Sequence, residues 1–170
     1  MKKIIFPLIY LTITAGAYAD IVCSSVTPTI NTTAYTAGDC LHATAIEIPN
    51  ASLAGGTGGY IRSIRVADKQ GQGKNISAVF FKSAPSTICT AINAGWQPAD
   101  ADLLLITAGG PISISSHDAF HDNGVSMANA LGRPYVLTSG TSLYMGLIAE
   151  EAVTYAVGDL TVEVCVDRER

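Results

Sequence analysis

The sequence predicts an all-β fold, a single antiparallel β-sandwich of the jelly-roll or immunoglobulin-like kind. Three observations predict it. Short apolar runs rich in β-branched residues recur along the chain, glycine-bearing turns separate them, and a helical period is almost absent.

The first element in chain order stands outside that sandwich. "MKKIIFPLIYLTITAGAYAD" opens with Lys2 and Lys3, runs apolar from Ile4 to Thr14 and ends in Ala17-Tyr18-Ala19. That is the layout of a secretory signal peptide over residues 1–19, cut between Ala19 and Asp20. Its apolar run is short of the roughly 20 residues that a bilayer span needs, and Pro7 interrupts it, so a membrane is expected as a partner only if the segment stays uncleaved. Cleavage removes 19 of 170 residues and leaves 151, enough for one hydrophobic core, so residues 20–170 are expected to form one β-sandwich domain.

Eight runs within that domain read as strands: 27–33 "TPTINTT", 40–48 "CLHATAIEI", 59–67 "GYIRSIRVA", 75–82 "NISAVFFK", 111–116 "PISISS", 133–138 "RPYVLT", 142–150 "SLYMGLIAE" and 159–167 "DLTVEVCVD". Turn residues divide them at Gly38-Asp39, at the run from Gly55 to Gly59, at Gly71 and Gly73, and at Gly109-Gly110. Asn123-Gly124, Ser139-Gly140 and Gly158-Asp159 follow. "PADADLLLITA" fits either a helical turn beginning at Asp100 or Asp102 or another buried strand, and both readings stand.

Charge narrows the partners. Loss of Lys2 and Lys3 leaves eight basic against 14 acidic side chains, a formal charge of about −6, and no stretch clusters Lys or Arg. Such a chain repels phosphate backbones, so no nucleic acid is expected. With only 14% charged residues on an exported protein, part of the surface is expected to be covered, by self-association or in a larger protein assembly.

Motifs for chemistry are sparse. "AGGTGGY" leads into a strand rather than a helix N-terminus, so it reads as a hairpin connection and not a phosphate loop. His117 and His121 lie four apart beside Asp118 and Asp122 and would share a face on a helical turn. A metal site wants three or four ligands, however, and His42 sits far off in an early strand, so no metal and no cofactor are expected. Gly-x-Ser-x-Gly is absent, and the acid pairs Asp100/Asp102 and Glu150/Glu151 fall on loops or strand ends, so no enzyme is expected. Trp96, Tyr60 and His117 are the residues a binding module would use.

Four cysteines, Cys23, Cys40, Cys89 and Cys165, form no C-x-x-C pair in a chain with an export signal, which points to two disulfides. "AYTAGDCLHA" has an echo in "TYAVGDLTVE", where Tyr155, Gly158 and Asp159 repeat the spacing of Tyr35, Gly38 and Asp39. If the two turns are equivalent, Cys40 faces inward like Leu160, whereas Cys165 lies five residues further along its strand and points the other way. Domain termini tend to lie close together, so the expected pairs are Cys23–Cys165 and Cys40–Cys89.

The succession "TPTINTTAYTAGD", "GGYIRSIRVADKQGQGKNISAVFFKSAP", "ADADLLLI" and "GRPYVLTSGTSLYMGLIAEEAVTYAVGDLTVEV" resembles small virion structural proteins of tailed bacteriophages, over roughly residues 27 to 167. The resemblance implies a β-rich, non-enzymatic accessory component on a particle surface, without catalytic residues. The leader and the cysteines depart from that family and point outside the cytoplasm. The expected location is therefore exported (periplasmic, extracellular or at a surface), with the virion as the alternative.

Overall fold

The structure, a computed structural model, describes residues 20–53, 57–120 and 122–169. The expected signal peptide 1–19 with Ala19, residues 54–56 of the glycine-rich run, and His121 lie outside the described residues. Among the described residues, ten strands and one short helix follow in order: β1 (Asp20–Val26), β2 (Ile46–Ile48), β3 (Gly58–Asp68), β4 (Ile76–Phe81), α1 (Asp100–Leu103), β5 (Ile106–Ile114), β6 (Ser116–Phe120), β7 (Asn123–Ala128), β8 (Arg133–Val136), β9 (Leu143–Ala149) and β10 (Leu160–Arg168).

They build two antiparallel sheets, one in the order β1-β10-β3-β7-β6 with β8 also on β3, the other in the order β2-β9-β4-β5. Side-chain alternation fills the space between them. Leu160, Val162, Val164 and Val166 of β10 and Ile61, Ile64 and Val66 of β3 share one buried core with Ile76, Ala78 and Phe80 of β4 and Leu143, Met145 and Leu147 of β9. The fold is thus the all-β sandwich that the sequence predicts.

Two bulges shape it. On β3, Cys165 pairs with Ser63 and Val166 with Ile61, so Arg62 is the extra residue. Its carbonyl accepts from Leu131 N–H, at the point where β3 passes from β7 to β8 as its partner. On β5, the register jumps between Ile112 and Thr107, and Ala108, Gly109 and Gly110 are all left-handed, with φ of 58°, 75° and 98°. Gly109-Gly110, read from the sequence as a turn between strands, is therefore a bulge inside one long strand.

Other expectations shift as well. Residues 27–33 are not a strand; the strand is β1, ending at Val26 opposite Val162, where Pro28 soon removes the next useful donor. Of 40–48 only Ile46–Ile48 is strand, because His42 folds its ring back onto Thr44 and bends the chain. The polar stretch holding His117 belongs to the hairpin β6–β7 and not to a helical turn, and Asn123-Gly124, expected as a turn, opens β7. "PADADLLLITA" resolves into both readings, α1 and then β5.

A further layer covers the outer face of the second sheet. β4 is buried along its whole length: Ile76, Ala78 and Phe80 face the inter-sheet core, and Val79 and Phe81 join a second apolar cluster with Cys40, Ile88 and Cys89. Trp96, Tyr144 and Ile148 pack against that cluster. The Asp102 carboxylate pins the covering segment, accepting from Ser86 N–H at 3.0 Å, Ser86 Oγ at 2.7 Å and Thr87 N–H at 3.0 Å. Those donors hold its carboxyl below the ordinary carboxylate range, the Ser86 backbone N–H most strongly.

Candidate functional site

The two Tyr-x-x-Gly-Asp turns repeat in space as well as in sequence. In each, the Asp N–H closes the turn onto the carbonyl three residues back, Asp39 to Thr36 and Asp159 to Ala156, both at 3.1 Å. In each, the Asp carboxylate accepts the N–H of that same residue. Gly38 (φ 92°) and Gly158 (φ 80°) take the third position, where a type II turn needs positive φ. Tyr35 and Tyr155 are buried side by side, ring centroids 6.4 Å apart. Burial raises both phenol pKa values. These residues close the loop end of the sandwich.

Cys23 is bonded to Cys165 and Cys40 to Cys89. Cys23 and Cys165 sit directly opposite each other on β1 and β10, with Cα atoms 4.0 Å apart, on the solvent side of the first sheet. Cys40 is fully buried, but not as Leu160 is. It bridges Ile148 on the outer face of the second sheet, while Leu41 enters the inter-sheet core. Inward facing by analogy with Leu160 is therefore corrected: the covering segment buries Cys40 from outside.

His117, Trp96 and Tyr60 do not converge. Tyr60 lies on the outer face of β3, half-exposed, and Trp96 lies across the other sheet, its ring 6.1 Å from Phe81. His117 meets Ser126 Oγ through Nδ1 and Asn75 Oδ1 through Nε2 at 2.9 Å. Both ring nitrogens are thus engaged, leaving neither for a metal in this arrangement. Ser126 is 4% exposed, and the group beyond the imidazole is the neutral amide of Asn75. Glu151 accepts from Asn75 N–H and from Lys74 Nζ, and that backbone donor leads in holding its carboxyl below the ordinary range. No group of three or more potential metal ligands occurs among the described residues.

Two surface features escape sequence reasoning. An apolar cleft of about 340 Å³ lies at the β6–β7 hairpin, lined by Phe120, Val125 and Lys69 among others. Lys69 Nζ donates to Gly158 O, which brings Phe120, 58% exposed, and Val157, 70% exposed, to the same end of the molecule. A second groove, of about 360 Å³, runs between Ser83-Ala84 and Ser139-Gly140-Thr141-Ser142, with Tyr144 completing its lining. Small hydroxyl residues are ordinary turn formers, so only the pairing of β4 with β9 reveals that these two segments face each other.

No protein-family model matches the chain, and no curated protein does. Among solved structures, a chain in the structure of infectious bursal disease virus Gx strain is similar at 13% identity and a TM-score of 0.32. The match covers 96% of this chain and 36% of that one. The likeness is remote, and it is to that virus rather than to a tailed phage.

Proposed function

We propose that the chain is a non-enzymatic structural protein, exported or carried on a particle surface, that assembles with copies of itself or into a larger protein shell, in the manner of a virion accessory subunit. The observation that carries this is Phe120, a large apolar side chain left exposed on the lining of an apolar cleft, with exposed Val157 beside the Gly158 carbonyl that Lys69, also on that lining, holds. Low charge across the rest of the chain supports it, since few charges would need desolvation at a contact. The two disulfides fit an oxidising compartment. Sedimentation of the oxidised protein over a range of concentrations tests the reading. Association is expected, and Phe120→Asp with Val157→Asp should abolish it; a monomer at every concentration, bound to no particle, would refute it.

A second reading, an exported surface or periplasmic binding module for a glycan or protein ligand, is favoured by one observation: the hydroxyl-lined groove beside Tyr144.

A further inference from the structure

Four small residues in sequence, Ser139-Gly140-Thr141-Ser142, form one wall of the second groove, and Ser83-Ala84 form the other. The wall is pinned at both ends: Thr138 N–H donates to Lys82 O and Ser52 N–H to Thr141 O, each at 3.1 Å, and Gly140 supplies a left-handed φ of 69° between them. A turn fixed in this way needs little ordering when a ligand arrives.

The groove's chemistry is specific. The hydroxyls of Ser83, Ser139 and Thr141 bond to no other group among the described residues. Ser142 Oγ donates to Glu47 Oε1 at 2.6 Å, which leaves the other oxygen of that exposed carboxylate to accept a further hydroxyl. Glu47, Tyr144 and Phe81 stand in register across β2, β9 and β4, so the half-buried Tyr144 ring is set between a carboxylate and the outer apolar cluster. No Lys, Arg or His lines the groove, and Glu47 stands beside it, so an anionic ligand would find repulsion and no counter-charge.

We propose that this groove binds a neutral saccharide. Ring hydroxyls would exchange hydrogen bonds with Ser83, Ser139, Thr141 and Glu47, and the apolar C–H face of the sugar would lie against Tyr144, whose ring is apolar with one polar tip. A volume of about 360 Å³ stands near the lower end of the roughly 300–1,000 Å³ typical of small-ligand sites and suits a mono- or disaccharide. This inference rests on the binding-module reading and is independent of the assembly reading.

The test is titration of the isotope-labelled, oxidised protein with cellobiose, maltose and diacetylchitobiose, with glucose 6-phosphate as the anionic counterpart, followed by amide chemical shifts. At least one neutral disaccharide should give saturable shifts centred on Ser83 and Ser139–Ser142, and the phosphate should bind more weakly. Thr141→Val, on an exposed turn, and Tyr144→Ala should each weaken binding by about tenfold, the first without disturbing the shifts of the core strands. Three outcomes would overturn the proposal: no saturable shift with any of the three disaccharides, shifts centred elsewhere, or equal binding of the phosphate. Unchanged affinity in Thr141→Val together with Tyr144→Ala would also do so. Light scattering on the same samples reports self-association separately, so failure of the groove and failure of the assembly reading remain distinguishable.

Discussion

Replacing Cys40 and Cys89 together by alanine should loosen one layer of the molecule before the rest. The bond closes a loop across a sequence separation of 49, for which the chain-entropy relation gives a stabilisation of roughly 4 kcal/mol. At about 2–4 °C per kcal/mol for a domain of this size, the melting midpoint should fall by roughly 8–16 °C. The Cys23–Cys165 bond, across a separation of 142, is worth about 5 kcal/mol on the same relation, so size alone separates the two poorly. Location separates them well. Without Cys40–Cys89, the segment over the outer face of the second sheet keeps a few backbone bonds, Cys40 N–H to Ala94 O, Asn93 N–H to Cys40 O and Trp96 N–H to Gly38 O, plus the contact of Trp96 with Phe81. Hydrogen exchange should therefore accelerate at Asn93 and Trp96 well ahead of β10 and β3 in that variant, a local opening rather than a global one. The Cys23→Ala, Cys165→Ala variant should instead release β1. Equal acceleration over the covering segment and β10 would refute the layered account, as would an unchanged melting midpoint.

Further outcomes follow from the same geometry. A Cβ on Gly146 would stand 2.6 Å from the Trp96 ring, so Gly146→Ala should displace the single tryptophan, shift its fluorescence to longer wavelength and cost about 1–3 kcal/mol in urea unfolding. Asp159→Ala should lower stability by about 1.5–3 kcal/mol, since it leaves Ala156 N–H without its charged acceptor. Asp39→Ala should cost less, because its turn is the more exposed of the two; equal urea midpoints for the pair would count against this. Asp102 and Glu151 have folded pKa values below the ordinary 3.8 and 4.5, so their contribution is present above those values and is lost as pH falls through the lowered ones. Urea midpoints should accordingly drop in acid, less steeply in Asp102→Asn. At the other extreme, burial pushes the Tyr135 phenol up to about 12, so its contribution should be lost as pH rises from the ordinary 10.0 towards that value, as tyrosinate absorbance would report.

Much of the fold is legible in the sequence because most strands alternate or are framed by glycine. "GYIRSIRVA" gives β3 to within a residue at each end, and "DLTVEVCVD" gives β10, since Leu160, Val162 and Val164 face the core while Thr161, Glu163 and Cys165 face outward. Reading fails where side-chain chemistry does not report backbone pairing. "SSHDAFHDNG" is polar because β6 is an edge strand whose residues are mostly exposed, and an exposed strand carries little apolar period. Gly109-Gly110 marks positive φ correctly, but a bulge and a turn ask for the same residues. The groove is hidden for a related reason: Ser83 and Thr141 become neighbours only through the pairing of β4 with β9, and serine and threonine signal a turn whether or not they also face a ligand.

The two echoed turns show what a local repeat conveys and what it leaves to the rest of the chain. Each fixes a buried tyrosine, a left-handed glycine and an aspartate cap, and the two meet where Tyr35 bridges Val153. After them the paths diverge. Asp159 leads directly into β10 of the first sheet, so Leu160 turns into the space between the sheets. Asp39 leads onto the second sheet, where its carbonyl accepts from Ala149 N–H and Cys40 pairs with Ile148. Ile148 belongs to the outer face of β9, and its partner Cys40 therefore faces the covering segment while Leu41 takes the inward role one residue later. A one-residue offset flips facing in any β arrangement. Equal turn geometry thus fixes where each chain starts and not which side its next residue faces; the sheet that receives it decides that. Cys40 is placed to fasten the outer layer because it is not the structural equivalent of Leu160.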